Sequence, residues 1–221
     1  MRRLARGLLN LSWPPLCPVC GLDSERHASC CSSCAAAQPR LAGGCRRCAL
    51  ELPRWTERCG SCLSRPPAFD TARAGFAYRA PIATLVQRFK FNRDLAAGRA
   101  LARMLAAELV RQQTTRPDLL VPVPLHWRRR WKRGFNQAEL LCRDLSSAFG
   151  ALPWMSLLRR KRATSTQSEL PAGRRRGNVR GAFDVCREFP GGTHVALVDD
   201  VMTTGATLNE CARLLRRAGA G

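Results

Sequence analysis

The chain has 221 residues, with 37 Lys and Arg against 16 Asp and Glu, for a formal net charge of +21 carried mostly by arginine. That length accommodates one medium core plus a small appendage, and nowhere do apolar residues form the roughly 20-residue run that crosses a bilayer, which excludes a membrane span. So cationic a surface attracts phosphate-bearing ligands or nucleic acid through long-range steering and counterion release, although an arginine-rich genome produces the same excess.

The chain opens on MRRLARGLLNLSW. Its apolar run is too short for a signal peptide and lacks a small-residue cleavage site, whereas Leu4, Leu8 and Leu11 share one face of a helix expected over residues 1–16. Nine of the twelve cysteines then precede residue 63, and eight of them form the CxxC pairs Cys17/Cys20, Cys31/Cys34, Cys45/Cys48 and Cys59/Cys62, each starting fourteen residues after the last. A CxxC turn aims two thiolates at one metal and a second turn completes a tetrahedron, which a disulfide framework does not require. Eight thiolates therefore predict a double zinc ribbon over residues 17–62 holding two structural Zn²⁺ ions, with iron–sulfur ligation as the other metal option. Sequential pairing needs only local closure and is preferred to the interleaved pairing that equal spacing also permits. Between the pairs lie few large apolar residues, so metal has to supply the fold. Cys30 is a spare thiol, His27 falls outside the pattern, and Cys142, Cys186 and Cys211 are expected to be buried. Metal-bound thiolates point to a reducing, cytoplasmic setting.

SRPPAFD reads as a linker, and a second unit follows over residues 71–221. ARAGFAY has strand character; IATLVQRFKF and LAAGRALARMLAAELVRQQ have helical periodicity; LLVPVP is a short buried strand; FNQAELLCRDLSSAFG is a helix; HVALVDD is a second buried strand before a helix from about Ala206. Strands alternating with helices indicate an α/β fold with a mostly parallel sheet flanked by helices, and such sheets bind ligands beyond the carboxyl ends of their strands. Two loops leave those ends. In VDDVMTTGAT, Asp199 and Asp200 emerge where the strand stops, and Thr203, Thr204, Gly205, Ala206 and Thr207 form a turn at a helix N-terminus whose amides can cradle an anion. Carboxylates repel the phosphate that the turn attracts, so the ligand should be a ribose whose hydroxyls face the acids and whose 5-phosphate sits in the turn. No phosphate-loop or dinucleotide glycine motif is present. In the other loop, HWRRRWKRGF interleaves Trp127 and Trp131 with Arg128, Arg129, Arg130, Lys132 and Arg133; such a segment either contacts single-stranded nucleic acid or anchors its tryptophans on the core.

VALVDDVMTTGAT resembles the phosphoribosyl-pyrophosphate (PRPP) signature of type I phosphoribosyltransferases, and VPVPLHWRRRWKRGFNQA together with the paired CxxC ribbons is similar to the ComF competence family. The resemblance implies a type I phosphoribosyltransferase-like domain, with Asp199 and Asp200 on the ribose hydroxyls, Thr203 to Thr207 on the 5-phosphate, a pyrophosphate loop at Val123 to Leu125, and Mg²⁺ arriving with PRPP. It also implies that the segment 159–179 is a hood closing over PRPP, and that a final strand after the last helix is missing here. Two functions follow: a DNA-uptake protein whose ribbons and basic loops contact single-stranded DNA or a partner, or an active phosphoribosyltransferase of nucleotide salvage or metabolism. No dedicated general base stands out for the second.

Overall fold

The computed structural model describes residues 16–25, 30–162 and 179–221. The helix expected over residues 1–16, His27 and most of the expected hood lie outside the described residues. The elements in chain order are α1 (Ser32–Ala36), α2 (Gly60–Ser64), α3 (Ile82–Phe91), α4 (Leu95–Arg111), β1 (Leu119–Pro122), α5 (Trp127–Arg133), α6 (Gln137–Ala148), β2 (Leu158–Arg160), β3 (Phe183–Val185), β4 (Val195–Val198) and α7 (Ala206–Arg217).

β1 and β4 pair in parallel with Leu119 opposite Val195 and Pro122 opposite Val198, and Trp154 makes a further parallel bridge to Leu120. Side chains alternate across β1. Leu120 joins Leu85, Phe89, Leu101 and Leu141 in a core built by α3, α4 and α6, while Leu119 and Val121 join Phe183, Cys211 and Leu215 on the opposite side. The result is a mixed α/β arrangement with helices on both faces of a short two-stranded parallel sheet, in which β1 is wholly buried. Among the described residues the outer edge of β4 carries no strand, and an apolar groove of about 640 Å³ runs along it between Leu109, Phe149, Leu208 and Ala212.

The helices form where capping and apolar spacing coincide. α3 buries Ile82, Leu85, Val86 and Phe89, one continuous stripe, and Asp94 caps α4 by accepting from Ala97 N at 2.9 Å. Gly98 of α4 lies against Phe89, and a Cβ there would fall 2.5 Å from the ring. Alanine is ordinarily about 1 kcal/mol better than glycine within a helix. Here Gly98→Ala should instead lower stability by about 1–3 kcal/mol through overpacking, read as a lower midpoint in thermal circular dichroism; an unchanged or raised midpoint counts against this packing.

Three local expectations are corrected. ARAGFAY forms no strand: it crosses α4, with Gly75 against Leu105, and Ala77 N donates to Pro39 O at 2.8 Å, so its backbone meets a ribbon rather than a sheet edge. HWRRRWKR is a helix rather than an open loop, capped by the His126 side chain and closed by Gly134 at φ 84°. Cys186 is exposed, because it lies just past the end of β3, where the sulfur meets only main-chain oxygens, Leu157 O at 3.3 Å among them. A pair not expected, antiparallel β2–β3, flanks the segment expected as a hood, β2 overlapping its start and β3 following its end.

Candidate metal and anion sites

Two cysteine quartets converge: Cys17, Cys20, Cys31 and Cys34, and separately Cys45, Cys48, Cys59 and Cys62, the sulfurs of each lying within 4.8 Å of one another. A tetrahedral zinc with Zn–S bonds of about 2.3 Å spaces its sulfurs about 3.8 Å apart, and the separations are 3.8 Å for Cys20–Cys31, 3.9 Å for Cys45–Cys62 and 3.7 Å for Cys48–Cys59. These quartets could hold two zinc ions. Within each, the first cysteine accepts a main-chain amide from the third, Cys31 N to Cys17 Sγ at 3.4 Å and Cys59 N to Cys45 Sγ at 3.2 Å. Burial opposes ionisation of Cys17 and Cys45, yet amide donors from the CxxC turns outweigh it and hold both thiols below the usual range.

The quartets are embedded differently. Cys17 and neighbouring Cys30 belong to the main core, with Cys30 Sγ 3.7 Å from Met104 Sδ. Arg40 reaches the Glu108 carboxylate at 3.2 Å, and Arg88 donates to Pro18 O at 2.6 Å. Glu108 is only 3% exposed; hydrogen bonding from Arg111 lowers its pKa, with Gln112 and Arg40 adding to the effect against burial. The second quartet instead makes a separate cluster of Cys45, Cys59 and Cys62 with Cys48 and Leu52.

The second site begins where β1 and β4 end side by side. Val123 N donates to Val198 O at 2.9 Å, so the segment after β1 and the acids after β4 leave neighbouring strands at the same carboxyl end. Asn136 fixes the first of these loops, donating from Nδ2 to Val123 O at 3.1 Å and capping α6 through Oδ1 to Ala138 N. In the second, Gly205 adopts φ 69° immediately before α7 and Ala206 N donates to Thr204 Oγ1 at 3.4 Å. Thr203 and Thr204 are exposed and Ala206 is buried. The backbone turn that the TTGAT sequence requires is therefore formed at the N-terminus of α7.

The acids have distinct surroundings. Asp199 Oδ1 accepts from Asp200 N at 2.9 Å, and burial, reinforced by the Asp200 charge, pushes the Asp199 carboxyl above the usual range while Lys90 and Arg160 pull against it. Asp200 Oδ1 lies 2.8 Å from Lys90 Nζ, and both side chains are largely covered. Arg133, donating to Gln137 Oε1 at 3.2 Å, also acts on Asp200. Arg160 lies over the Phe183 ring. His126 is buried, and burial together with Arg160, Arg128 and Arg129 lowers its pKa, so it is a neutral imidazole accepting from Arg128 N. The carboxyl end of the sheet thus gathers two carboxylates, several arginines and a helix N-terminus, a set able to hold a molecule with hydroxyls at one end and phosphates at the others.

No protein-family model matches the chain. It is 40% identical over 163 residues to the DNA utilization protein YhgH of Salmonella typhi, an alignment covering 72% of this chain and 71% of that one. It is also 40% identical over 164 residues to competence protein F of Haemophilus influenzae, with 71% of each covered. The chain belongs to the ComF family. A more distant member, competence protein ComFC of Bacillus subtilis, is 31% identical over 149 residues, covering 66% of this chain and 58% of that one, and the two cysteine quartets fit the family's double zinc ribbon. Among the described residues no helix is long and apolar enough to cross a membrane.

Lys90 escaped the sequence reading, and Arg160 entered it only as one member of the segment 159–179. Lys90 sits on an amphipathic helix, where a lysine reads as a solvated residue, and Arg160 is one arginine in a basic run. Neither position carries a local signal, because both reach the site only through tertiary packing.

Proposed function

We propose that the chain acts in DNA uptake and that its α/β unit is a type I phosphoribosyltransferase-like domain binding PRPP, or a related ribose phosphate, where β1 and β4 end. The observation that carries this reading is the Val123–Val198 bond, which puts the two loops shoulder to shoulder. Asp199 and Asp200 accept the ribose hydroxyls; the amides of Thr203, Thr204, Gly205, Ala206 and Thr207 receive the 5-phosphate; the loop at Val123 to Leu125 and the arginines around it face the diphosphate. Mg²⁺ arrives on that diphosphate and neutralises part of its charge. Mg²⁺ commonly binds this way, through substrate phosphates and few protein ligands, and among the described residues only the cysteine quartets gather three or more convergent metal-binding side chains. The quartets hold structural Zn²⁺ and serve as the DNA- or partner-binding ribbons, in a cytoplasmic protein. The names of the relatives, DNA utilization and competence proteins, support the uptake role. Isothermal titration with PRPP and Mg²⁺ tests the pocket: saturable binding is expected, and no heat of binding refutes it. Pyrophosphate release with candidate bases distinguishes an active phosphoribosyltransferase, working by electrostatic stabilisation of the departing diphosphate, from a binding module.

The DNA partner is supported by α5. Trp127 is 62% and Trp131 87% exposed, so neither anchors this segment on the core. Four residues apart on one helix, they share a face, and the Arg128 guanidinium lies 5.2 Å from the Trp127 ring. Single-stranded DNA stacks on such a surface at about 1–3 kcal/mol per base. Trp131→Ala should therefore weaken oligonucleotide binding about tenfold, and the wild-type constant should fall with salt at a log–log slope of about 0.7 per phosphate neutralised. Fluorescence titration at several salt concentrations checks both, and a flat salt response sinks the idea.

A further inference from the structure

The last turn of α3 touches both loops of the site through three consecutive residues. Phe89 stacks on Phe135, which follows α5, with ring centroids 5.5 Å apart. Lys90 Nζ lies 2.8 Å from Asp200 Oδ1. Phe91 lies under the Arg133 guanidinium, 5.4 Å from its ring centroid. Because Ile82, Leu85, Val86 and Phe89 seat this helix in the core, Lys90 projects from a rigid base, and its ammonium is 110 residues upstream of the carboxylate it meets.

On the reading that this pocket takes PRPP, we propose that Lys90 is a positioning residue of the sugar subsite: its ammonium occupies Asp200 Oδ1 and orients the other carboxylate oxygen to accept a ribose hydroxyl. A carboxylate on a loop would otherwise rotate freely, and each hydrogen bond to it would then cost the entropy of fixing that rotor. The ion pair removes that cost before the ligand arrives. Lys90 also acts on the acid pair as a whole. The groups that face it are Asp199 and Asp200 themselves, Lys90 from α3, Arg133 from α5, Arg160 from β2 and the Cys211 thiol from α7. Lys90 and Arg160 are the cations that oppose protonation of Asp199. Without the ammonium, Asp199 takes up a proton at higher pH, and a protonated acid is a poorer acceptor for a hydroxyl.

Lys90→Met keeps the apolar stem and removes the charge. Titration of PRPP with Mg²⁺ into the zinc-loaded full chain should show a Kd raised about tenfold at neutral pH, the size of one charge-assisted contact. The loss should grow toward acid across roughly pH 6 to 8.5, the interval in which a raised carboxyl titrates, and Lys90→Arg should recover most of the affinity. If wild type binds but Lys90→Met binds equally well, or Lys90→Arg recovers none of the lost affinity, as a packing defect would leave it, the positioning role is overturned. If wild type takes no PRPP at any pH, the reading of the pocket fails, and this inference fails with it.

Discussion

A strong chelator should extract two metal ions per chain, one from each cysteine quartet, and should unfold the second ribbon before the α/β unit melts. The buried cluster around Cys45, Cys59 and Cys62 contains little else than cysteine and Leu52, so burial contributes little to its fold. Structural zinc supplies on the order of 10–16 kcal/mol of apparent binding energy. The first ribbon shares the main core through Cys17 and Cys30 and should hold its place longer, at a cost to the whole molecule. Cys45→Ser is thus expected to reduce metal content to one ion and leave the α/β unit folded, whereas Cys17→Ser should lower the unfolding temperature of the entire chain. The second ribbon is not isolated: Arg47 donates to Pro67 O at 3.2 Å, Asp70 pairs with Arg216 of α7 at 2.5 Å, and Asn209 Oδ1 accepts from Ala68 N at 2.6 Å. Its collapse should therefore loosen the linker over 67–70 and the start of α7. Elemental analysis and circular dichroism during chelation check these outcomes; a structure indifferent to the chelator would falsify the ribbon assignment.

Replacing both acids, Asp199→Asn with Asp200→Asn, should weaken PRPP binding by about two to four orders of magnitude, since each ionised acceptor gives a charge-assisted hydrogen bond worth roughly 1.5–3 kcal/mol. Stability should move in the opposite direction. The folded-state pKa of Asp199 is raised by burial and by Asp200, so the stabilisation linked to this group is complete below the unfolded-state pKa and is lost as pH rises through the folded one. At neutral pH its charge is a burden that the fold retains, and Asp199→Asn alone should raise the unfolding temperature at pH 7 while gaining nothing in acid. A drop in stability at neutral pH, or undiminished PRPP affinity in the double variant, contradicts the assignment of this pair to ligand binding. Function kept at the expense of stability is the usual trade at such sites.

The cysteine quartets and the Thr/Gly-rich turn were legible because each is local. A CxxC turn places two sulfurs within one turn of chain, and Thr203 to Thr207 place their amides together whatever the rest of the fold does. The same holds for α3, α4 and α6, whose apolar stripes are written at helical spacing. ARAGFAY misled because strand character describes a residue's fitness for a pleated surface and says nothing of whether a sheet edge is near; here a ribbon and α4 were nearer. HWRRRWKR hid its helix because its charges conceal the periodicity, and the helix is set by its ends, the His126 cap and Gly134.

From the sequence alone came the two cysteine quartets as a set, the alternation of strands and helices, and the acidic pair beside a turn that opens a helix. Only the tertiary structure decided that β1 and β4 are adjacent, that Trp127 and Trp131 face outward, that Lys90 and Arg160 join the acids, and that the edge of β4 borders an apolar groove. The division has one physical cause: hydrogen-bonding turns and side-chain periodicities act over a few residues, whereas an ion pair such as Lys90–Asp200 joins positions that approach each other only after the whole core has packed.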